Sequence, residues 1–186
     1  MTMPNWCDNN LYLEHNDPEM IKKAKEAWES GKFLATFVPE PDYTKVKVKP
    51  TFDNSHITGK PVADFVNPDQ AWWDWRVQNW GTKWDIGYDA DRSNHAQGCD
   101  KTMFVYFDSA WSPPTDAYAK LAELGFLVKA FYYEGGCAFC GSWIDGVEDF
   151  HNIEEQTQAW VKENIPKYID DEMDISMQYE LDEEWE

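Results

Sequence analysis

Residues 103–133 read MFVYFDSAWSPPTDAYAKLAELGFLVKAFYY, and they predict a strand, a helix and a second strand. The run 103–107 is apolar and rich in aromatic side chains, which favours a buried strand. Residues 112–116 have the prolines and polar side chains of a helix start, and Gly125 ends that helix. Residues 126–133 then return as the second strand. We therefore expect a β-α-β unit with its helix packed on the sheet.

The N-terminal segment predicts a further strand and helix. Residues 6–14 predict a strand, in which Leu11 and Leu13 alternate with Tyr12 and Glu14. A helix begins at Asp17 and Pro18 and ends at Gly31. Joined to residues 103–133, this order predicts an α+β fold. We expect a ferredoxin-like antiparallel sheet with helices on one face.

An insert at about 39–100 interrupts this order. Residues 45–49 alternate lysine with valine, which is typical of a protected edge strand. A tryptophan-rich helix is expected at 67–79. Residues 80–86 are expected to enter a strand, and the polar stretch 89–100 predicts a loop.

The C-terminal part predicts a hairpin and then a helix. Residues 137–144 are expected to pair with the strand before them. Residues 154–171 predict a helix bent at Pro166. After Asp174 the apolar residues fit both the period of a strand and the four-residue spacing of a helix. We favour the strand.

The net charge limits the classes of function. The 186 residues include 35 acidic and 16 basic side chains, a net charge of −19. Residues 154–186 carry −10 of it, so we divide the chain into a ferredoxin-like domain at 1–150 and an acidic helix or extension at 151–186. This charge disfavours direct binding to nucleic acid or to anionic membranes, which attract lysine and arginine. We find no apolar stretch long enough for a membrane span and no signal-peptide pattern, so we expect a cytoplasmic protein.

The sequence lacks the motifs of common enzymes. It has no phosphate loop, no dinucleotide fingerprint and no nucleophile elbow. Cys137 and Cys140 have the spacing of a zinc knuckle or a redox pair, and Cys7 and Cys99 could complete a zinc site. Residues three apart in a strand point to opposite faces, which favours two ordinary thiols. We expect no enzyme, no cofactor and no bound metal.

Four segments together resemble a known family. They are MPNWCDNNL at 3–11, NWGTKWD at 79–85, FDSAWSPP at 107–114 and YYEGG at 132–136. Their combination and order are similar to the YubB-type ferredoxin-like family of phages, plasmids and pathogenicity islands. The resemblance spans residues 3–146. It implies a ferredoxin-like fold and a mobile genetic element as the source, and it implies no catalytic residues.

The acidic C-terminal residues predict a binding function. Residues 168–186 hold nine acids and no base. As a helix they would carry about one charge per 3 Å, close to the charge spacing of a nucleic-acid strand. With the family resemblance, this predicts a phage- or plasmid-encoded inhibitor that binds a basic surface of a host defence protein, as a DNA mimic does. The residues expected to contact that partner are Asp170, Asp171, Glu172, Asp174, Glu180, Asp182, Glu183 and Glu184.

The tryptophans leave a second function open. The chain has 11 of them. They indicate either a core with a satellite cluster or a binding surface, which could anchor a protein partner or stack nucleobases. The second interpretation predicts a sponge for a nucleotide or another small molecule, with basic side chains on its phosphates. The candidate residues are Trp72, Trp75, Trp80, Trp84, Trp111, Arg76 and Lys83, with Arg92 nearby.

Overall fold

The computed structural model describes residues 5–52 and 63–183, with side chains up to residue 180. Its strands are β1 (Trp6–Glu14), β2 (Thr102–Ala110), β3 (Leu127–Glu134), β4 (Phe139–Ile144) and β5 (Val147–Asn152). Its helices are α1 (Pro18–Glu29), α2 (Phe33–Phe37), α3 (Ala71–Trp80), α4 (Thr115–Glu123), α5 (Gln158–Asn164), α6 (Lys167–Met173) and α7 (Ile175–Glu183). In this described part of the chain, no helix is long and apolar enough to cross a membrane. The α+β class is confirmed.

The strands form one antiparallel sheet in the order β2-β1-β3-β4-β5. Leu11 of β1 lies between Val105 of β2 and Ala130 of β3. Because β1 is antiparallel to both neighbours, β2 and β3 run parallel to each other, and α4 connects them across β1. The predicted β-α-β unit is therefore present, and the N-terminal strand is inserted at its centre.

The first core lies between one face of the sheet and the helices α1, α2 and α4. Leu11, Val105 and Ala130 are fully buried there. Trp28 of α1 is also fully buried, and its Nε1 donates a hydrogen bond to the carbonyl oxygen of Asn94 at 2.8 Å. This bond satisfies the polar atom of the indole and fixes the chain that precedes β2.

A second core covers the opposite face of β3 and β4. Phe131, Tyr133 and Cys140 are buried in it. The chain after β5 supplies the other buried members, Ile153, Val161, Ile165, Ile169, Met173, Ile175 and Tyr179. The prediction of helices on one face is therefore wrong, because the second half of β3, residues 130–133, is apolar on both faces and needs cover on both.

The tail after Asp174 forms the helix α7 and not the strand that we favoured. Ile175 and Tyr179, one helical turn apart, are both buried in the second core. The amide N–H of Ser176 donates to the carboxylate of Asp170 at 2.7 Å, which satisfies one of the free amides at the start of the helix. Asp174 has a left-handed φ of 51° and separates α6 from α7.

The insert differs from the prediction in two places. Residues 45–49 and 80–86 form no strand in the described structure. In the second of these segments, the carboxylate of Asp85 accepts hydrogen bonds from the amide groups of Leu34 and Ala35 at 2.6 and 3.1 Å. Asp85 therefore caps α2, and this contact fixes the segment in an irregular conformation.

The predicted loop at 89–100 lies along the free edge of β2. Ser93 and Gln97 form isolated bridges with Phe107 and Phe104. These bridges provide hydrogen-bond partners for some backbone groups on the outer edge of β2, although the segment is not a regular strand.

Replacing Ile169 with alanine tests whether the C-terminal helices belong to the folded unit. Ile169 is fully buried in the second core, so we expect the free energy of unfolding to fall by about 2–4 kcal/mol. Guanidinium unfolding followed by tryptophan fluorescence measures the change. Met177 is 56% exposed, and Met177→Ala should change the value by less than about 0.5 kcal/mol. An unchanged midpoint in Ile169→Ala would indicate an independent appendage.

Candidate functional site

The four segments that carry the family resemblance meet at one end of the sheet. Asp8 of β1 lies between Asp108 of β2 and Tyr133 of β3. The amide N–H of Trp111 donates to the carbonyl of Asn5 at 3.0 Å, which joins the chain after β2 to the chain before β1. These segments are distant in sequence; strand pairing brings three of them together, and hydrogen bonds to the turn after β2 add residues 79–85.

The turn after α3 is fastened to the turn after β2. Thr82 Oγ1 donates to the carbonyl of Ala110 at 3.0 Å, and Ser112 Oγ donates to the carbonyl of Gly81 at 2.5 Å. Gly81 has a φ of 86°, and a Cβ there would lie 2.9 Å from the amide nitrogen of Thr115. Glycine is required at this position by both its backbone conformation and this contact.

Two carboxylates face each other at the same end of the sheet. Asp8 and Asp108 are direct cross-strand partners. Partial burial, together with the negative charge of Asp108, raises the pKa of Asp8 to about 6. Burial also raises the pKa of Asp108, although the positive charge of Arg92 opposes this shift. Because like charges directly across a sheet are destabilising, Asp8 retains a proton in weakly acidic solution.

Two indoles and two basic side chains form a row beside this pair. The guanidinium carbon of Arg92 lies 3.8 Å from the ring centroid of Trp6. The rings of Trp6 and Trp84 are 5.8 Å apart at 44°, and Lys83 Nζ lies 4.9 Å from the Trp84 centroid. Trp6, Trp84 and Arg92 line a cavity of about 210 Å³. Trp6 is absent from the predicted ligand residues, because only strand pairing places it here.

The other predicted ligand residues lie elsewhere. Trp80 is fully buried in the first core, where its Nε1 donates to the carbonyl of Val38 at 2.9 Å. Trp75 packs edge-on against Trp80, with ring centroids 5.9 Å apart. Trp111 is 46% exposed in the turn after β2. The predicted tryptophans therefore do not line one pocket.

Arg76 is held by a carboxylate and two indoles. Its guanidinium donates to both oxygens of Glu40 at 2.9 and 2.7 Å. It also lies 5.2 Å from the Trp72 centroid and 4.8 Å from the Trp80 centroid. The hydrogen bonds from Arg76 lower the pKa of Glu40. These contacts fasten α3 to the chain before it, so Arg76 and Trp72 have a structural role.

Three of the predicted acidic residues have contacts within the chain, and two of them, Asp170 and Glu172, help to hold the C-terminal helices in place. Asp170 caps α7, as described above. The hydroxyl of Tyr12 on β1 donates to the carboxylate of Glu172. Asp171 pairs with Lys167 at 2.5 Å. These acids have partners within the protein, which reduces the charge that they offer to another molecule.

The remaining predicted acids are on or after the last helices. Asp174 and Glu180 are exposed. Asp182 and Glu183 belong to α7. Glu184 lies outside the described residues.

Most basic side chains of the described residues already have a partner in the chain. Those in ion pairs are Lys22, Lys45, Arg76, Lys120 and Lys167. Those over aromatic rings include Lys23, Lys47, Lys83, Arg92 and Lys129. Lys25 donates to the carbonyls of Gly98 and Cys99. The described surface therefore has more carboxylates than basic side chains. Few of its lysine and arginine side chains lack a contact within the chain.

The four cysteines do not converge. Cys7 and Cys140 are buried, whereas Cys99 and Cys137 are exposed. Burial raises the pKa of Cys140 to about 12, and a hydrogen bond with Glu134 raises that of Cys137. Within residues 5–52 and 63–183, no three His, Cys, Asp or Glu side chains are placed to hold a metal ion. Because the thiolate is the reactive form, the raised pKa values describe unreactive thiols at Cys137 and Cys140.

Comparison with known proteins gives one structural similarity. No family model matches the chain, and no curated protein matches it. A crystal structure of a protein api92 from Yersinia pseudotuberculosis, of family model DUF1281, covers 82% of this chain and 99% of its own. The two are 9% identical with a TM-score of 0.43. At these values the similarity carries no functional argument.

Replacing Asp8 with asparagine tests the carboxylate pair. The pKa of Asp8 in the folded protein is about 6 and its ordinary value is 3.8. Between these values the folded state binds more protons than the unfolded state, so stability falls as pH rises through this window. Asp8→Asn should remove this fall and raise the free energy of unfolding at pH 7.5 by about 1 kcal/mol after solvent screening.

Urea unfolding between pH 4 and pH 7.5 measures this effect. At pH 4 the variant and the wild type should have similar stability, because Asp8 is then protonated. Asp69 is exposed, and Asp69→Asn serves as the control with wild-type pH dependence. The carboxylate pair would be refuted if Asp8→Asn followed the same pH profile as this control.

Proposed function

We propose that this protein is a small binding protein of a phage or plasmid that inhibits a host defence factor in the host cytoplasm. It would act by stoichiometric contact with a basic surface of that factor. The observation that carries the proposal is a net charge of −19 on a molecule in which Lys22, Lys45, Arg76, Lys120 and Lys167 are already paired with carboxylates of the same chain. A surface that binds nucleic-acid phosphates through lysine and arginine is complementary to this charge. Competition for such a surface requires no catalysis.

The C-terminal helices give part of this charge a rigid support. Asp174, directly before α7, and Glu180 on α7 are exposed, while Ile175 and Tyr179 of α7 are buried in the second core. Charges on a packed helix lose less conformational freedom on binding than charges on a flexible tail. Long-range attraction would also speed the association with a basic partner. Mimicry of nucleic acid is thus the proposed mode of action.

We also propose a ferredoxin-like arrangement for the chain up to β3. The elements follow the order β1, α1, segment 93–97, β2, α4 and β3. If the bridged segment 93–97 stands in for a strand, this order is the β-α-β-β-α-β of ferredoxin-like sheets. The division into a domain at 1–150 and an extension at 151–186 stays a prediction.

A nucleotide- or small-molecule-binding function is the second candidate. It is favoured by Arg92, whose guanidinium stacks on Trp6 at 3.8 Å and has no ion pair among the described residues. Two observations place it second. The cavity of about 210 Å³ is smaller than the roughly 300 Å³ of small ligand sites. Asp108 lines the cavity, with Asp8 as its cross-strand partner, and its negative charge would repel a phosphate.

A thermal-shift assay with a panel of nucleotides tests this second candidate. A ligand at about 100 times its dissociation constant stabilises a protein by roughly 2.7 kcal/mol, which raises the melting temperature by several degrees. The shift should disappear in Arg92→Gln and persist in Lys101→Gln. If none of the nucleotides changes the melting temperature of the wild type, this candidate fails.

Capture of a partner from a bacterial host lysate tests the leading proposal, with the full chain as bait. A basic partner should bind at about 50 mM salt and dissociate near 500 mM, because salt screens surface charge. Asp174→Asn/Glu180→Gln should weaken binding about tenfold, since each exposed charge pair contributes up to about 1 kcal/mol. The matched variant Glu26→Gln/Asp69→Asn removes two exposed acids outside the C-terminal helices and should bind as the wild type does.

Competition with nucleic acid is the second measurement. The bait should displace a labelled DNA oligonucleotide from the purified partner at a one-to-one ratio. Binding that persists at about 500 mM salt, or that both double variants weaken equally, would contradict the proposal.

A further inference from the structure

The turn after β2 displays an indole on a strained backbone. Trp111 has a φ of 71°, in the left-handed region that a bulky residue rarely adopts. Its ring is 46% exposed. The hydrogen bonds to Asn5 and Gly81 described above hold the turn in this conformation. Strained residues that a structure holds rigidly are concentrated at functional sites, so the surroundings of this ring are a candidate site.

Trp111 forms one wall of a cavity between the start of α4 and the hairpin of β4 and β5. The cavity has a volume of about 410 Å³. Its apolar lining is Val77, Trp111, Pro113, Tyr132, Phe139 and Phe150. The rings of Phe139 and Phe150 stack at 5.5 Å, and Phe150 is 50% exposed. This cavity, here called the Trp111 pocket, is near the lower end of ligand-site volumes of about 300–1,000 Å³.

Two carboxylates also line the Trp111 pocket, Glu148 of β5 and Asp116 in the first turn of α4. Burial and the negative charge of Glu148 raise the pKa of Asp116. Among the residues that the structure describes, neither carboxylate has a basic side chain within ion-pair distance. The pocket therefore combines aromatic walls with two carboxylates that no basic side chain of the described residues neutralises.

Glu148 is held in place by a contact that requires glycine. The hydroxyl of Tyr132 donates to Glu148 at 2.8 Å. A Cβ at Gly141, the cross-strand partner of Tyr132, would lie 2.4 Å from that hydroxyl oxygen. The side chain of Tyr132 thus passes over Gly141 to reach the carboxylate of Glu148. This hydrogen bond fixes the position of the carboxylate in the absence of a ligand.

We infer that the Trp111 pocket binds an arginine side chain of a basic partner, an inference that rests on the proposed function and specifies one of its contacts. A guanidinium is planar, stacks on aromatic rings and donates paired hydrogen bonds to carboxylates. Its aliphatic stem would pack against Trp111 and Phe150, and its charge would meet Asp116 and Glu148. A nucleotide is the wrong complement, because both carboxylates repel phosphate.

Titration of the full chain with N-acetyl-L-arginine methylamide, followed by NMR, tests this inference. The indole N–H resonance of Trp111, assigned with Trp111→Phe, should shift and reach saturation. The neutral N-acetyl-L-norleucine methylamide, with a side chain of similar length, should cause no saturable shift. We expect Asp116→Asn/Glu148→Gln to weaken arginine binding at least fivefold, and Glu26→Gln/Asp69→Asn to leave it unchanged.

Equal shifts with the two compounds, or no saturable shift with the arginine compound, would overturn the inference. So would unchanged arginine affinity in Asp116→Asn/Glu148→Gln. Amide spectra of that variant with wild-type dispersion show that its fold is intact. The two proposals fail separately, because the lysate capture can succeed with Asp116→Asn/Glu148→Gln at full affinity, which would refute the pocket alone. Arginine binding without a salt-sensitive partner would refute the proposed function alone.

Discussion

Burial of the second half of β3, residues 130–133, on both faces is the constraint on which the rest of the structure depends. Ala130 lies in the first core, and Phe131 and Tyr133 lie in the second. Without the C-terminal helices these two aromatic rings would be exposed, at a cost of about 1.5–3 kcal/mol each. The same strand places Tyr132 against Glu148. The acidic helices and the Trp111 pocket are therefore both fixed by one strand.

The elements that the sequence predicted correctly are those whose determinants are local. In residues 103–133 the apolar runs, the proline-containing helix start and Gly125 are adjacent in the chain, and β2, α4 and β3 follow them. The tail was ambiguous because its apolar residues fit two periods, and the contact from Asp170 to the start of α7 joins residues in different helices. The edge strand β5 is largely exposed and polar, so no alternation indicated it.

The candidate site was less predictable than the fold, because distance in the chain was a poor guide to distance in space. Trp80 and Trp84 are close in sequence, yet one is in the first core and the other lies beyond the turn at Gly81, against Trp6. The four segments of the family resemblance lie together at one end of the sheet, although the sequence alone did not predict that they would meet. The position of Trp6 beside Trp84 follows from the pairing of β1 with β2, which no single segment contains.

The acidic surface lowers the stability of the fold, whereas the packed cores raise it. This difference affects how much stability the protein would gain on binding a basic partner. A net charge of −19 destabilises the isolated fold by self-repulsion. Asp8 shows part of this effect locally, since burial and then the negative charge of Asp108 raise its pKa to about 6. A basic partner that binds only the folded state would relieve this repulsion and stabilise that state by mass action. The charge that weakens the free protein would therefore strengthen its complex, provided that the two cores keep the acids in place until the partner arrives.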